Sequence, residues 1–237
     1  MAKATNTIVF IPGLLCDRRV WEPVANQVWT LTNQPILHVE FDAEDSIADM
    51  AKTVLEKADG QLVLVGHSMG ARVAIEATRF AAERIKGLAL FDTGIHPLKP
   101  GELDKRKTIV ELAFNQGMVA LADTWLPPML HEASRTNPHI FEPLYEMVIA
   151  KTTSLHERQI QALVNRPDAA HLLSRVTCPV LLGVGDGDRW SPVSQHLDMQ
   201  ALVPSASLVI ISNAGHFAPL ENTEETATHL LQWLLSL

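Results

Sequence analysis

Cysteine is nearly absent from this chain: only Cys16 and Cys178 occur. They have no metal-type spacing, and two thiols cannot build a disulfide framework. Basic residues are in the minority, leaving a formal net charge of −8. That excludes the basic surface that nucleic acid or an anionic membrane would require. No apolar run approaches the ~18 residues that a membrane-spanning helix needs. The first residues, MAKATN, carry no apolar core followed by a small-residue cleavage site, so no secretory signal is expected. The expected location is cytoplasmic, with no nucleic-acid or membrane partner. Nothing in the sequence speaks to oligomeric state.

What the chain does have is a series of short runs rich in Val, Ile and Leu, at 7–11, 36–41, 62–65, 87–91, 180–184 and 207–211. They do not alternate with polar residues, which is the pattern of strands covered on both faces of a parallel sheet. Helical stretches with start signals lie between them. Ser46 with Asp49 caps an expected helix over 46–57, Ser191 followed by Pro192 opens another, and Asn222 with Glu225 opens a last one over 223–235. Alternating strands and helices predict an α/β fold with a mostly parallel sheet flanked by helices. The alternation breaks once. From His96 to Arg175 there is no strand pattern, only helical stretches punctuated by prolines. The expected organisation is a core formed by 1–95 and 176–237, with 96–175 as a helical cap.

Glycine is sparse, with 12 in the chain, yet two of them bracket one serine in LVGHSMGARV, residues 64–73. The preceding strand must turn into a helix over 71–81 within a few residues. Such a turn strains its central residue, and Gly66 and Gly70 remove the Cβ atoms that would collide. Ser68 is thereby raised at the carboxyl end of a strand, where open α/β sheets bind ligands. A serine hydroxyl needs a base, and His216 in SNAGHFAPLE follows the last strand run. A base needs an orienting carboxylate. Asp188 in GVGDGDRWSPV is preferred, with Trp190 available to shield it; Asp186 and Asp92 remain alternatives. The order Ser68, Asp188, His216 matches the chain order known for the nucleophile-elbow architecture. Gly13 permits a tight loop after the first strand, from which the Leu14 N–H could join that of Met69 as an oxyanion cradle.

With these motifs in place, the chain resembles the α/β-hydrolase superfamily from Thr7 to its C-terminus. It looks most like small bacterial esterases, lactonases and enol-lactonases, through PGLLCD, GHSMGARVA, GDRWSPV and AGHFAPLE. The resemblance implies an α/β-hydrolase fold with the cap inserted after the sixth usual strand. It also implies Ser68 as nucleophile, Asp188 as acid, His216 as base, and Leu14 and Met69 as oxyanion amides. Pro12-Gly13 stands where many relatives have His-Gly, and the leading hairpin of larger relatives is expected to be missing or reduced. The implied activity is cleavage of a carboxylic ester or lactone of a small, largely apolar molecule, with no metal and no organic cofactor. A carbon–carbon bond hydrolase is the alternative, and a non-catalytic binding protein of the same fold a more distant one. Leu15, Trp125, Trp190 and Phe217 are expected to line the pocket. Arg18 and Arg19 could meet a substrate carboxylate or form a solvated charge pair, and Cys16 reads as a buried thiol.

Overall fold

The computed structural model describes residues 6–237; the first five residues, on which the reading of a missing secretory signal partly rests, lie outside the described part. The chain runs β1 (Thr7–Ile11), α1 (Glu22–Thr32), β2 (Ile36–His38), α2 (Ile47–Lys57), β3 (Leu62–His67), α3 (Met69–Ala81) and β4 (Ile85–Phe91). Five helices follow without a strand: α4 (Glu102–Trp125), α5 (Glu132–Arg135), α6 (Pro138–Ile149), α7 (Thr153–Val164) and α8 (Ala170–Leu173). The chain then completes the sheet with β5 (Val180–Gly185), α9 (Val193–Leu202), β6 (Ser207–Ile211), α10 (Ala218–Glu221) and α11 (Thr223–Leu234).

The six strands form one sheet in the order β2-β1-β3-β4-β5-β6, every neighbouring pair parallel. No strand precedes β1 among the described residues. Helix α1 packs on α11, and α2 packs on α3. The β1–α1–β2 connection runs one way along the sheet and the β2–α2–β3 and β3–α3–β4 connections the other, which for right-handed crossovers puts these two pairs on opposite faces. The central strands β3 and β5 are buried along their whole length, which is why their residues are almost all aliphatic.

Three boundaries differ from the sequence pattern for identifiable reasons. Strand β2 ends at His38, although the apolar run continues to Phe41; the Val39 N–H still donates to the Phe10 carbonyl at 3.1 Å, but no ladder pair follows, and Val39 and Phe41 are buried in the core. Strand β4 starts at Ile85, two residues early, because the exposed Lys86 sits at a register irregularity and interrupts the apolar run. Helix α9 starts at Val193, and Ser191 does not cap it: the Ser191 N–H turns back to the Asp188 carboxylate at 2.9 Å. The caps of α2 and α11 form as the spacing predicts, with Ser46 Oγ accepting from the Asp49 N–H at 3.1 Å and Asn222 Oδ1 from the Glu225 N–H at 3.2 Å.

The inserted helices are held together chiefly through α4, which packs on α6 and α7 and breaks once at Gly117. Gly117 has φ 85°, a conformation that suits glycine and that a side chain would strain. The helices rest above the carboxyl ends of the strands, and a cavity of about 380 Å³ lies between the two parts.

Candidate active site

Ser68 occupies the turn between β3 and α3 with φ 53° and ψ −113°, outside the regions ordinary side-chain-bearing residues favour. Strain of this kind costs about 1–3 kcal/mol and persists only where the surroundings enforce it. Here they do. The Ser68 N–H donates to the carbonyl of Phe91 at 2.8 Å, and the Ser68 carbonyl accepts from the Thr93 hydroxyl at 2.9 Å. A Cβ on Gly66 would enter the backbone of Ala71, and one on Gly70 would strike the carbonyl oxygens of Ile11 and Pro12. Ser68 is the N-terminal boundary residue of α3, yet its hydroxyl caps nothing. It lies 2.9 Å from Nε2 of His216 instead.

His216 is buried, and its Nδ1 lies 2.8 Å from Oδ2 of Asp188. A carboxylate accepts, so Nδ1 carries the hydrogen and Nε2 is left to accept from Ser68. Asp188 is itself buried. Burial pushes its carboxyl upward, but the facing imidazole and the N–H groups of Ser191 and Trp190 more than offset this and hold it below the usual carboxylate range. Those N–H groups reach Oδ1 at 2.9 and 2.7 Å. Trp190 therefore serves Asp188 through its backbone; its side chain is 48% exposed and does not shield the acid.

Neither alternative carboxylate reaches the imidazole. Asp186 is exposed and accepts from the Ala214 N–H at 3.2 Å. Asp92 is fully buried and bridges the N–H groups of Gly185 and Ala218 at 3.0 and 3.3 Å, which ties the end of β5 to α10. Burial and the neighbouring Asp188 charge push its carboxyl well above the usual range.

Two further groups fix the histidine loop. His67 Nε2 donates to the His216 carbonyl at 2.7 Å. Burial and the adjacent His216 draw the His67 imidazole down to about 3, so it stays neutral. Glu221 accepts from the N–H groups of Gly215 and Phe217, at 2.9 and 3.0 Å, and from His131 at 2.7 Å. The His216 N–H donates to the Met129 carbonyl at 2.8 Å, so the segment after α4 also steadies the imidazole.

Leu14 and Met69 both line the cavity. Their N–H groups have no protein acceptor among the described residues. Leu15 departs from expectation: it is fully buried in the core and does not line the cavity. Its φ of 58° turns its side chain away from the side Leu14 faces, and its N–H donates to Oε1 of the buried Gln159 on α7 at 2.8 Å. Trp125, Trp190 and Phe217 do line the cavity. Arg18 and Arg19 do not. Arg19 pairs with Asp17 at 2.7 Å and Arg18 faces Glu22 at 3.9 Å, near the surface. Cys16 is buried, its thiol donating to the Leu14 carbonyl at 3.3 Å and pushed far above its ordinary range by that burial, which makes it a poor nucleophile. No cluster of three metal-ligating side chains occurs among the described residues.

The family model described as "Alpha/beta hydrolase family" matches residues 8–229. The chain belongs to the alpha/beta hydrolase family. Among curated relatives of this family, a 2-hydroxy-6-oxononadienedioate/2-hydroxy-6-oxononatrienedioate hydrolase of Burkholderia vietnamiensis is 24% identical over 183 residues. The match covers 74% of this chain and 62% of that protein. The chain thus spans less than two thirds of that relative's length. An N-formylmaleamate deformylase of Pseudomonas putida is 23% identical, over 92% of this chain and 85% of the relative. Among solved structures, a thermophilic esterase from Thermogutta terrifontis superposes with a TM-score of 0.87 at 24% identity, covering 98% of this chain and 90% of the other. The enol-lactonase from Burkholderia xenovorans LB400 gives 0.85 at 20% identity, covering 98% and 92%. These likenesses establish the alpha/beta hydrolase fold.

Several contributors carry no signal in the sequence. Gln159 sits on an ordinary amphipathic helix, and Thr93 and Met129 act through contacts with distant segments. Glu221 had a signal: it lies five residues after His216, close enough to fold back on the N–H groups of that loop.

Proposed function

We propose that the chain is a serine hydrolase that cleaves a carboxylic ester or lactone of a small, largely apolar substrate through an acyl-enzyme on Ser68. The supporting observation is the hydrogen-bonded series Ser68–His216–Asp188, at 2.9 and 2.8 Å. The substrate carbonyl oxygen lies against the N–H groups of Leu14 and Met69. As Ser68 Oγ attacks the carbonyl carbon, His216 Nε2 takes the hydroxyl proton, and Asp188 stabilises the imidazolium. The negative charge that develops on the oxygen is met by the two N–H groups, each typically worth ~10²–10³ in turnover. His216 then gives its proton to the departing alkoxide and leaves an acyl group on Ser68. Water, deprotonated by His216, repeats the attack and releases the acid. Residues 96–175 act as a cap that closes the acyl site, with Trp125, Met129 and Phe217 forming its apolar wall next to Ser68.

A second reading has a specific observation behind it. The name of the Burkholderia vietnamiensis relative describes hydrolysis of a dienedioate, and the same nucleophile and base would serve a carbon–carbon bond beside a ketone. A panel separates the two: p-nitrophenyl acetate and butyrate, an enol-lactone, and a dienoic diketo acid. The ester reading expects turnover of the first three and little of the last. Preferential cleavage of the diketo acid would replace it.

A further inference from the structure

The cavity has apolar lining from Trp125, Met129 and Phe217, but it also gathers cations: Arg72, Lys99, Lys105, Arg106 and Arg166 line it against one carboxylate, Glu102. In a chain of net charge −8 this concentration runs against the average. Glu102 is already engaged: one oxygen accepts from Nη2 of Arg166 at 2.7 Å and the other from Nε of Arg106 at 2.8 Å. Arg72 has no carboxylate. Its guanidinium makes a single hydrogen bond to protein among the described residues, from Nη2 to the His96 carbonyl at 3.0 Å, and Arg166 Nε shares that carbonyl. A guanidinium carries five N–H donors, so most of those on Arg72 are free at the cavity. Burial and the facing Arg166 both work against its charge and draw it below its ordinary range. A recessed cation without a counter-ion is destabilising until an anion joins it.

Position decides what that anion belongs to. Arg72 lies one turn into α3 from Ser68: its N–H reaches the Ser68 carbonyl at 3.4 Å, and both residues line the same cavity. Gly94 lets the Gln195 side chain sit beside it: a Cβ built there would overlap the Gln195 side-chain oxygen and stand 3.9 Å from Arg72 Nη2. Adjacent Thr93 bonds the Ser68 carbonyl. An anion on Arg72 is therefore a few bonds from a carbonyl at Ser68.

We propose that Arg72 receives a carboxylate carried by the substrate itself, so that the preferred substrate is an ester or lactone bearing a free carboxylate on a short chain. This rests on the ester-hydrolase reading above and narrows its substrate class. The planar guanidinium matches a carboxylate in a two-point contact. Arg106 and Arg166, held by Glu102, add positive potential, and Lys99 and Lys105 extend it to the exposed mouth.

The test compares mono-p-nitrophenyl glutarate, whose far carboxyl is free, with its methyl ester. The wild-type kcat/KM favours the free acid at least tenfold, and about 1 M NaCl lowers the preference only in part, because a recessed pair is screened less than exposed charges. Arg72→Gln lowers the ratio at least tenfold, and Arg72→Lys retains part of it. Equal kcat/KM for the two esters in the wild type overturns the proposal, as does an unchanged ratio in a folded Arg72→Gln protein. The wild-type ratio and its salt dependence decide the matter even where a variant fails to fold. Calorimetric titration of glutarate into the Ser68→Ala protein gives a readout without turnover, with binding abolished by adding Arg72→Gln. If neither ester is cleaved, the ester reading fails and the titration still decides: glutarate that does not bind, or binds equally without Arg72, overturns the carboxylate site.

Discussion

The side-chain oxygen of Gln159 lies 2.8 Å from the N–H of Leu15. That bond joins α7 to the loop after β1 and holds Leu15 at φ 58°, a conformation a branched side chain resists. Leu14, the residue before it, lines the cavity, and its N–H has no protein acceptor among the described residues. The inserted helices thus take part in shaping the proposed oxyanion cradle as well as the cavity wall.

Gln159→Ala should act on this loop without touching substrate. It leaves the Leu15 N–H unpaired and buried and loosens the aim of Leu14. We expect kcat to fall roughly tenfold, short of the ~10²–10³ that losing a donor altogether costs, while KM changes little. Steady-state kinetics on p-nitrophenyl butyrate would measure both; a rise in KM alone would place Gln159 in substrate binding instead.

Asp188→Asn preserves shape and removes charge. The amide can present an N–H towards His216 Nδ1, which favours the tautomer with hydrogen on Nε2, unable to accept from Ser68. In the comparable substitution of other serine triads turnover falls ~10⁴-fold. A loss of similar order is expected here, with the fold intact by circular dichroism. Asp92→Asn, which does not reach the imidazole, should lower turnover far less.

Acid should weaken the tie between the start of α4 and the segment after α7. The guanidinium groups of Arg166 and Arg106 hold Glu102, against the upward push of burial, at about 2. A carboxyl depressed in the folded state stabilises the fold fully above its unfolded value, and that contribution is lost as pH falls through the folded one. Thermal midpoints should therefore decline between about pH 4.5 and pH 2. Asp17, lowered in the same sense by Arg19 and Lys151, adds to the decline. Glu102→Gln should flatten the slope in that window relative to the wild type, measured by calorimetry across pH; an unchanged slope would mean that the Glu102 pairs contribute nothing to stability.

The buried strands are legible because a parallel sheet covered on both faces admits almost only aliphatic residues, as in Leu62–His67 and Val180–Gly185. Edges are less so: at β2 the same apolar residues serve packing beyond the last ladder pair, and pattern cannot separate the two uses. Ser68 is legible because its turn demands glycine on both sides, and Asp188 and His216 because each follows a strand at the sheet's carboxyl end. Leu15 misleads since one positive φ reverses which of two adjacent leucines faces the cavity. Arg72 is visible as the residue four after Ser68, but its missing counter-ion becomes evident only when Glu102, Arg106 and Arg166 arrive from the inserted helices.

The central claim is that Ser68 is made nucleophilic by His216 and Asp188. Intact-mass analysis after exposure to a fluorophosphonate tests it without knowledge of the substrate. One adduct per chain is expected, mapped to Ser68, absent in Ser68→Ala and strongly slowed in His216→Ala. A wild-type chain that stays unlabelled, or a Ser68→Ala chain labelled as fast as the wild type, would contradict it.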